Sequence, residues 1–139
     1  MAKVAVVYWS GTGNTEAMAN AIAQGISEAG GEVDVCACGD FDAGALGNYE
    51  KLAFGCPAMG DEVLEESEFE PFFSGIEGSL SGKKVALFGS YGWGDGQWMR
   101  DWQDRVTGDG ASLFEEGLIV NGAPDEDACK EFGKRFAAF

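Results

Sequence analysis

The chain has 139 residues, of which 45% are hydrophobic, enough for one domain with its own core and too apolar for a disordered segment. Nine Lys and Arg stand against 24 Asp and Glu, a net charge of −15, which repels nucleic acid and anionic membranes and favours basic protein partners. No histidine is present, so the usual general base and the usual zinc ligand are missing, and hydrolytic or zinc chemistry is not indicated.

The elements alternate along the chain. Val4-Ala5-Val6-Val7-Tyr8 is a short apolar run of the kind buried on both faces of a sheet. Thr15 to Ala29 has helical spacing through Met18, Ile22 and Ile26, and Gly30-Gly31 stops it. Glu32 to Cys36 and Lys51 to Cys56 read as the second and third strands, and Phe69 to Ile76 as a helix. Lys83 to Gly89 is the fourth strand. Gly96 to Val106 follows as a helix with Trp98, Met99, Trp102 and Val106 inward. Leu118 to Val120 is the last strand, and Asp125 to Ala138 a closing helix with Ala128, Cys129, Phe132 and Phe136 inward. This alternation predicts an α/β fold, a five-stranded parallel sheet of order 2-1-3-4-5 with helices on both faces, as one domain over residues 1–139.

Two further readings concern the cell. Met1-Ala2-Lys3-Val4 leads into the first strand without a signal-peptide pattern, and no apolar run is long enough to cross a membrane, so a cytoplasmic protein is expected. Cys36, Cys38, Cys56 and Cys129 have no metal-site spacing and are expected as reduced thiols.

In such a sheet ligands bind beyond the carboxyl ends of the strands. The loop after strand one is Ser10-Gly11-Thr12-Gly13-Asn14-Thr15. Its glycines permit close backbone approach, and its hydroxyls and amide add donors at a helix start, the makings of a phosphate site. The plainer alternative is a glycine-rich turn in which Asn14 or Thr15 only caps the helix. The loop lacks the Lys of a P-loop and the third glycine of a dinucleotide fingerprint. The loop after strand three is Pro57-Ala58-Met59-Gly60-Asp61-Glu62, and that after strand four is Ser90-Tyr91-Gly92-Trp93-Gly94-Asp95-Gly96. Trp93 between glycines suits a platform for a flat ligand, with Met59 covering the other face. Two tight turns with partly buried side chains are the alternative. Together the three loops imply a planar aromatic cofactor with a phosphate tail.

These loops resemble those of the short-chain flavodoxins of anaerobic bacteria, and the likeness runs from Lys3 to the final helix, including Glu65-Glu66-Ser67-Glu68-Phe69-Glu70-Pro71-Phe72. The resemblance implies a non-covalent FMN. Ser10, Gly11, Thr12, Gly13, Asn14 and Thr15 would bind its phosphate. Trp93 would stack on the outer ring face and Met59 on the inner. Gly92 and Gly94 would offer N–H groups to the pyrimidine O2, and Glu62 would meet the N3 side. Ser90, Tyr91, Pro57, Ala58 and Asp61 complete the bracket. Pro57 departs from relatives with a small polar residue there and removes one N–H.

The resemblance implies a low-potential one-electron carrier, without substrate turnover of its own, that cycles between semiquinone and hydroquinone. Gly60 permits the positive φ of a type II′ turn, so the Gly60–Asp61 peptide can flip and present the Gly60 carbonyl to N5. Asp61, Glu62, Glu65, Glu66 and Asp95 would disfavour the anionic hydroquinone, each by about 0.5 kcal/mol at ~10 Å. Basic-surfaced reductases, oxidoreductases or hydrogenase-type proteins are the implied partners, and the charge favours a monomer. The alternative is a flavodoxin-like NAD(P)H-dependent quinone or nitro reductase, but Trp93 and Met59 would fill the space a nicotinamide needs. A receiver domain would need an acidic pocket where Tyr8-Trp9-Ser10 stands.

Overall fold

A computed structural model describes residues 3–11, 13–60, 62–92 and 94–139. Strands β1 (Lys3–Tyr8), β2 (Glu32–Ala37), β3 (Lys51–Gly55) and β4 (Lys84–Tyr91) form a parallel sheet in the order β2-β1-β3-β4. Beyond β4 the fifth position holds two short pieces, β5 (Ser112–Leu113) and β6 (Leu118–Asn121), each paired to β4. The expected order is therefore found, with the last strand broken in two. At the break Phe114 turns into the core against Phe132 and Phe136, with ring centroids 5.3 Å from both. Glu115 takes a left-handed backbone at φ 52, and its carboxylate accepts from Arg135 at 2.9 and 3.1 Å. Only the second piece carries an apolar run, so only it shows in the sequence.

The sheet is buried on both faces. Along β1, Val4 and Val6 point to one core while Ala5 and Val7 point to the other, the period of two that strand geometry dictates. Helices α1 (Asn14–Glu28) and α4 (Glu126–Ala137) cover the first face with Met18, Ile22, Ile26, Phe132 and Phe136. Helices α2 (Phe69–Ile76) and α3 (Gln97–Gly108) cover the second with Phe69, Phe73, Trp98 and Trp102. Between β2 and β3 the chain makes 3-10 turns at Cys38–Asp40 and Ala43–Asn48 in place of a helix.

Helices α1 and α4 touch backbone to backbone. A Cβ on Gly133 would lie 2.1 Å from the Ile22 carbonyl oxygen, and one on Gly25 would lie 2.0 Å from that of Lys130. This close approach turns Gly133 inward and leaves Ala128, expected inward, exposed. Lys51, buried at the start of β3, donates to the Ala137 and Phe136 carbonyls at 2.7 and 3.2 Å and so caps the end of α4. Burial, then the nearby Lys84, lowers its pKa.

Candidate functional site

The three loops expected to act together do meet at the carboxyl end of the sheet. After β1, the Ser10 hydroxyl accepts the Gly13 N–H at 3.1 Å, and Gly13 at φ 99 swings the chain into α1. The starts of the four α-helices differ. Glu65 accepts from the N–H groups of Ser67, Glu68 and Phe69 at 2.7, 2.7 and 2.9 Å and caps α2. Glu62 accepts from Asp95, Gly96 and Gln97 at 3.3, 3.1 and 3.0 Å and caps α3. Asp125 accepts from Asp127 and Ala128 at 3.0 and 3.3 Å and caps α4. Helix α1 has no side-chain cap among the described residues, so the N–H groups of its first turn and the positive end of its dipole are left for an anion.

Above this helix start lies a cavity of about 260 Å³. Trp9, Gly11 and Asn14 line it from the first loop; Pro57, Ala58 and Met59 from the second; Ser90, Tyr91 and Gly92 from the third. Its floor is continued sheet pairing: Cys56 N–H donates to Phe88 O at 3.1 Å, and Ala58 N–H to Ser90 O at 3.0 Å. Successive strand N–H groups point to opposite sides. The N–H that Pro57 lacks would therefore have faced away from β4, and the proline costs this pairing nothing. Thr15 and Ser90, both buried, share a hydroxyl hydrogen bond of 3.0 Å that ties the start of α1 to the end of β4. Beyond Ala58, Met59 and Val63 exchange two backbone bonds of 2.9 and 3.0 Å. The turn is thus closed at Val63, one residue later than a four-residue turn ending at Glu62 would be. Gly60 sits at φ 49 and Glu62 at φ 57, and Met59 stands half-exposed at the mouth of the slot.

The flavodoxin family profile matches residues 6–133. The chain belongs to the flavodoxin family. A flavodoxin of Clostridium beijerinckii is 58% identical over 134 residues, covering 95% of this chain and 97% of that protein. A flavodoxin of Megasphaera elsdenii is 47% identical over 135 residues, covering 96% and 98%. The solution structure of the two-electron reduced Megasphaera elsdenii flavodoxin superposes with a TM-score of 0.91, covering 98% of this chain and 99% of that one.

The flavodoxin cofactor is FMN, and the lining here fits it: an uncapped helix start at Asn14, a hydroxyl on Ser90, a thioether on Met59, and an aromatic wall from Trp9 and Tyr91. Of the residues expected at the site, Thr12, Asp61 and Trp93 lie outside the described residues. Gly94 packs against Glu62, where a Cβ would be 2.5 Å from that side chain's carboxyl carbon.

The acids expected around the flavin are held in different ways. Each of Glu62 and Glu65 has its charge spread over three backbone N–H groups. Asp95 is paired with Arg100 at 3.0 Å. Burial alone would raise the pKa of Glu65, but the hydrogen bonds outweigh it and hold the carboxyl below its ordinary range. Glu66 remains exposed.

Beside Glu65, the Cys56 thiol is sealed in, accepting the Glu65 N–H at 3.3 Å, and burial pushes its pKa far up. Gly122, unanticipated from the sequence, joins the slot from the loop after β6, with its N–H on Tyr91 O at 3.1 Å and φ 79. The Asn121-Gly122 pair directly after an apolar run was the available signal, because that loop opens at the same end of the sheet.

Proposed function

We propose that this chain is a single-domain, monomeric carrier of single electrons, with FMN held in the slot between the loops after β1, β3 and β4. The observation that carries the reading is the joining of an uncapped α1 start to that slot at the carboxyl edge of the sheet. Bound FMN supplies two successive one-electron steps, with a proton taken up at N5. The chain's own residues bind and orient. The N–H groups of Asn14 and Thr15, with the Ser10 and Thr12 hydroxyls and the Asn14 amide, hold the phosphate without any cation. Met59 covers the inner ring face and Trp93 the outer. Gly92 and Gly94 offer N–H groups at the pyrimidine edge. Glu62 keeps one oxygen, Oε2, without a partner among the described residues, and it serves the N3 side. The Gly60 carbonyl is the acceptor for a proton at N5.

The net charge of −15 supports basic redox proteins as partners. A cytoplasmic site of action belongs to the same proposal; no described helix is long and apolar enough to cross a membrane. Titration of the flavin-free protein with FMN and with riboflavin, read by flavin fluorescence, tests the cofactor assignment. FMN is expected to bind at least tenfold tighter, about 1.4 kcal/mol or more, through its phosphate. Equal affinities would refute the phosphate site at α1.

A further inference from the structure

We infer that Glu62 is a positioning residue: by seating its carboxylate on the start of α3, it fixes the spacing of the two loops that bracket the flavin. The inference rests on the proposed FMN slot and goes beyond it. All three N–H groups, from Asp95, Gly96 and Gln97, are received by one oxygen, Oε1. These donors belong to the segment directly after Gly92 and Gly94, while Glu62 belongs to the turn that carries Met59 and Gly60. The two sides of the slot are thereby joined by a side chain reaching across 33 to 35 residues of sequence.

Two features show that the join is built for this side chain. Glu62 is held at φ 57, a left-handed conformation that glycine adopts freely and a glutamate only at a cost. A turn alone would be better served by glycine. Opposite it, Gly94 at φ 91 leaves the space that the carboxylate fills: a Cβ there would lie 2.6 Å from Oε1. Gly96, directly before α3, has no side chain with which to cap it. A second tie strengthens the frame, because Trp98 in the first turn of α3 donates to the Cys56 carbonyl at 3.1 Å. Both ends of the segment 56–62 are thus fastened to α3. The Met59–Val63 backbone bonds then pass that position on to the turn that carries Gly60.

The test uses the full chain with Glu62→Gln, Glu62→Ala and Gly94→Ala, each measured for amide hydrogen exchange by NMR and for FMN affinity. In Glu62→Ala the amides of residues 95–97 are expected to exchange roughly tenfold faster or more, with β-sheet amides unchanged, and the FMN Kd to rise about tenfold. Glu62→Gln should retain most of both, since its amide oxygen can still receive the two shorter bonds, from Gly96 and Gln97. Gly94→Ala, which displaces the carboxylate, should resemble Glu62→Ala, and the double variant should be no worse than the poorer single. Unchanged protection at residues 95–97 in Glu62→Ala would overturn the inference, as would Glu62→Gln and Glu62→Ala behaving alike. Failure of the unaltered chain to bind FMN would instead overturn the proposed function, while the exchange data still decide the role of Glu62.

Discussion

Replacing Glu65 by glutamine separates two roles for a carboxylate near the flavin loops, helix cap and electrostatic ring. In the structure Oε2 receives the Ser67 N–H, and Oε1 receives those of Glu68 and Phe69. The amide oxygen of glutamine can keep the second pair, but its NH2 group then faces the Ser67 N–H, donor against donor. One charge-assisted bond is lost outright, worth about 1.5–3 kcal/mol, and the other two weaken. A loss of roughly 3 kcal/mol follows, or a urea midpoint lower by about 1.5 M for a slope near 2 kcal/mol/M. The sign of the pH dependence is fixed by the lowered folded-state pKa of Glu65. Its contribution is fully present above the unfolded value of about 4.3 and is lost as pH falls through the folded value. The gap between wild type and Glu65→Gln should therefore be full at pH 7 and close in acid. The midpoint of the second electron step should rise by only about 20 mV, the share of one carboxylate worth about 0.5 kcal/mol at ~10 Å, because the start of α2 holds the charge in place without cancelling it. Urea unfolding at several pH values, with a potential measurement at pH 7, checks all of this. A stability loss under about 0.5 kcal/mol would refute the cap account, and a second midpoint that does not rise would refute the charge account.

Three further outcomes are expected. Gly133→Ala places a Cβ 2.1 Å from the Ile22 carbonyl oxygen, so thermal unfolding should show a loss of about 2–3 kcal/mol from the forced separation of α1 and α4. In a thiol-labelling assay of the native protein near neutral pH, Cys36 alone should react, and slowly, because Cys38, Cys56 and Cys129 are buried. Burial first, and then neighbouring carboxylates, pushes Cys38 and Cys129 up to about 11, and all four should react in denaturant. Gly60→Ala meets no atom within 4 Å, so its effect is on the backbone alone, about 1 kcal/mol at a positive φ. A first midpoint lower by about 40 mV is expected, and an unchanged value would remove the turn from the redox account.

What could be read from the sequence was whatever is local. Val4 to Val7, the spacing of Met18, Ile22 and Ile26, and the glycine-rich loop between them state a strand, a loop and a helix within thirty residues, and the structure holds all three. The pairing of β3 with β4 beyond their ends, which floors the slot, follows from the same register. The roles of Glu62 and Glu65 were not legible in the same way. A cap is sought beside the helix it serves, and Glu62 serves one that begins 35 residues later, so its carboxylate looked like open charge. The break in the last strand was hidden for a related reason. Phe114 is apolar and Glu115 is not a turn former, and what bends the chain there is distant, namely aromatic packing on α4 and the ion pair with Arg135. Gly133 likewise declares itself only once α1 lies against it.

The central claim is that the slot holds FMN and lets it accept electrons singly. An anaerobic reductive titration of the FMN-loaded protein, followed by absorbance and potential, tests it most directly. Two resolved one-electron steps are expected, the second at lower potential than the first. A single two-electron step, or a protein that retains no FMN, would contradict it.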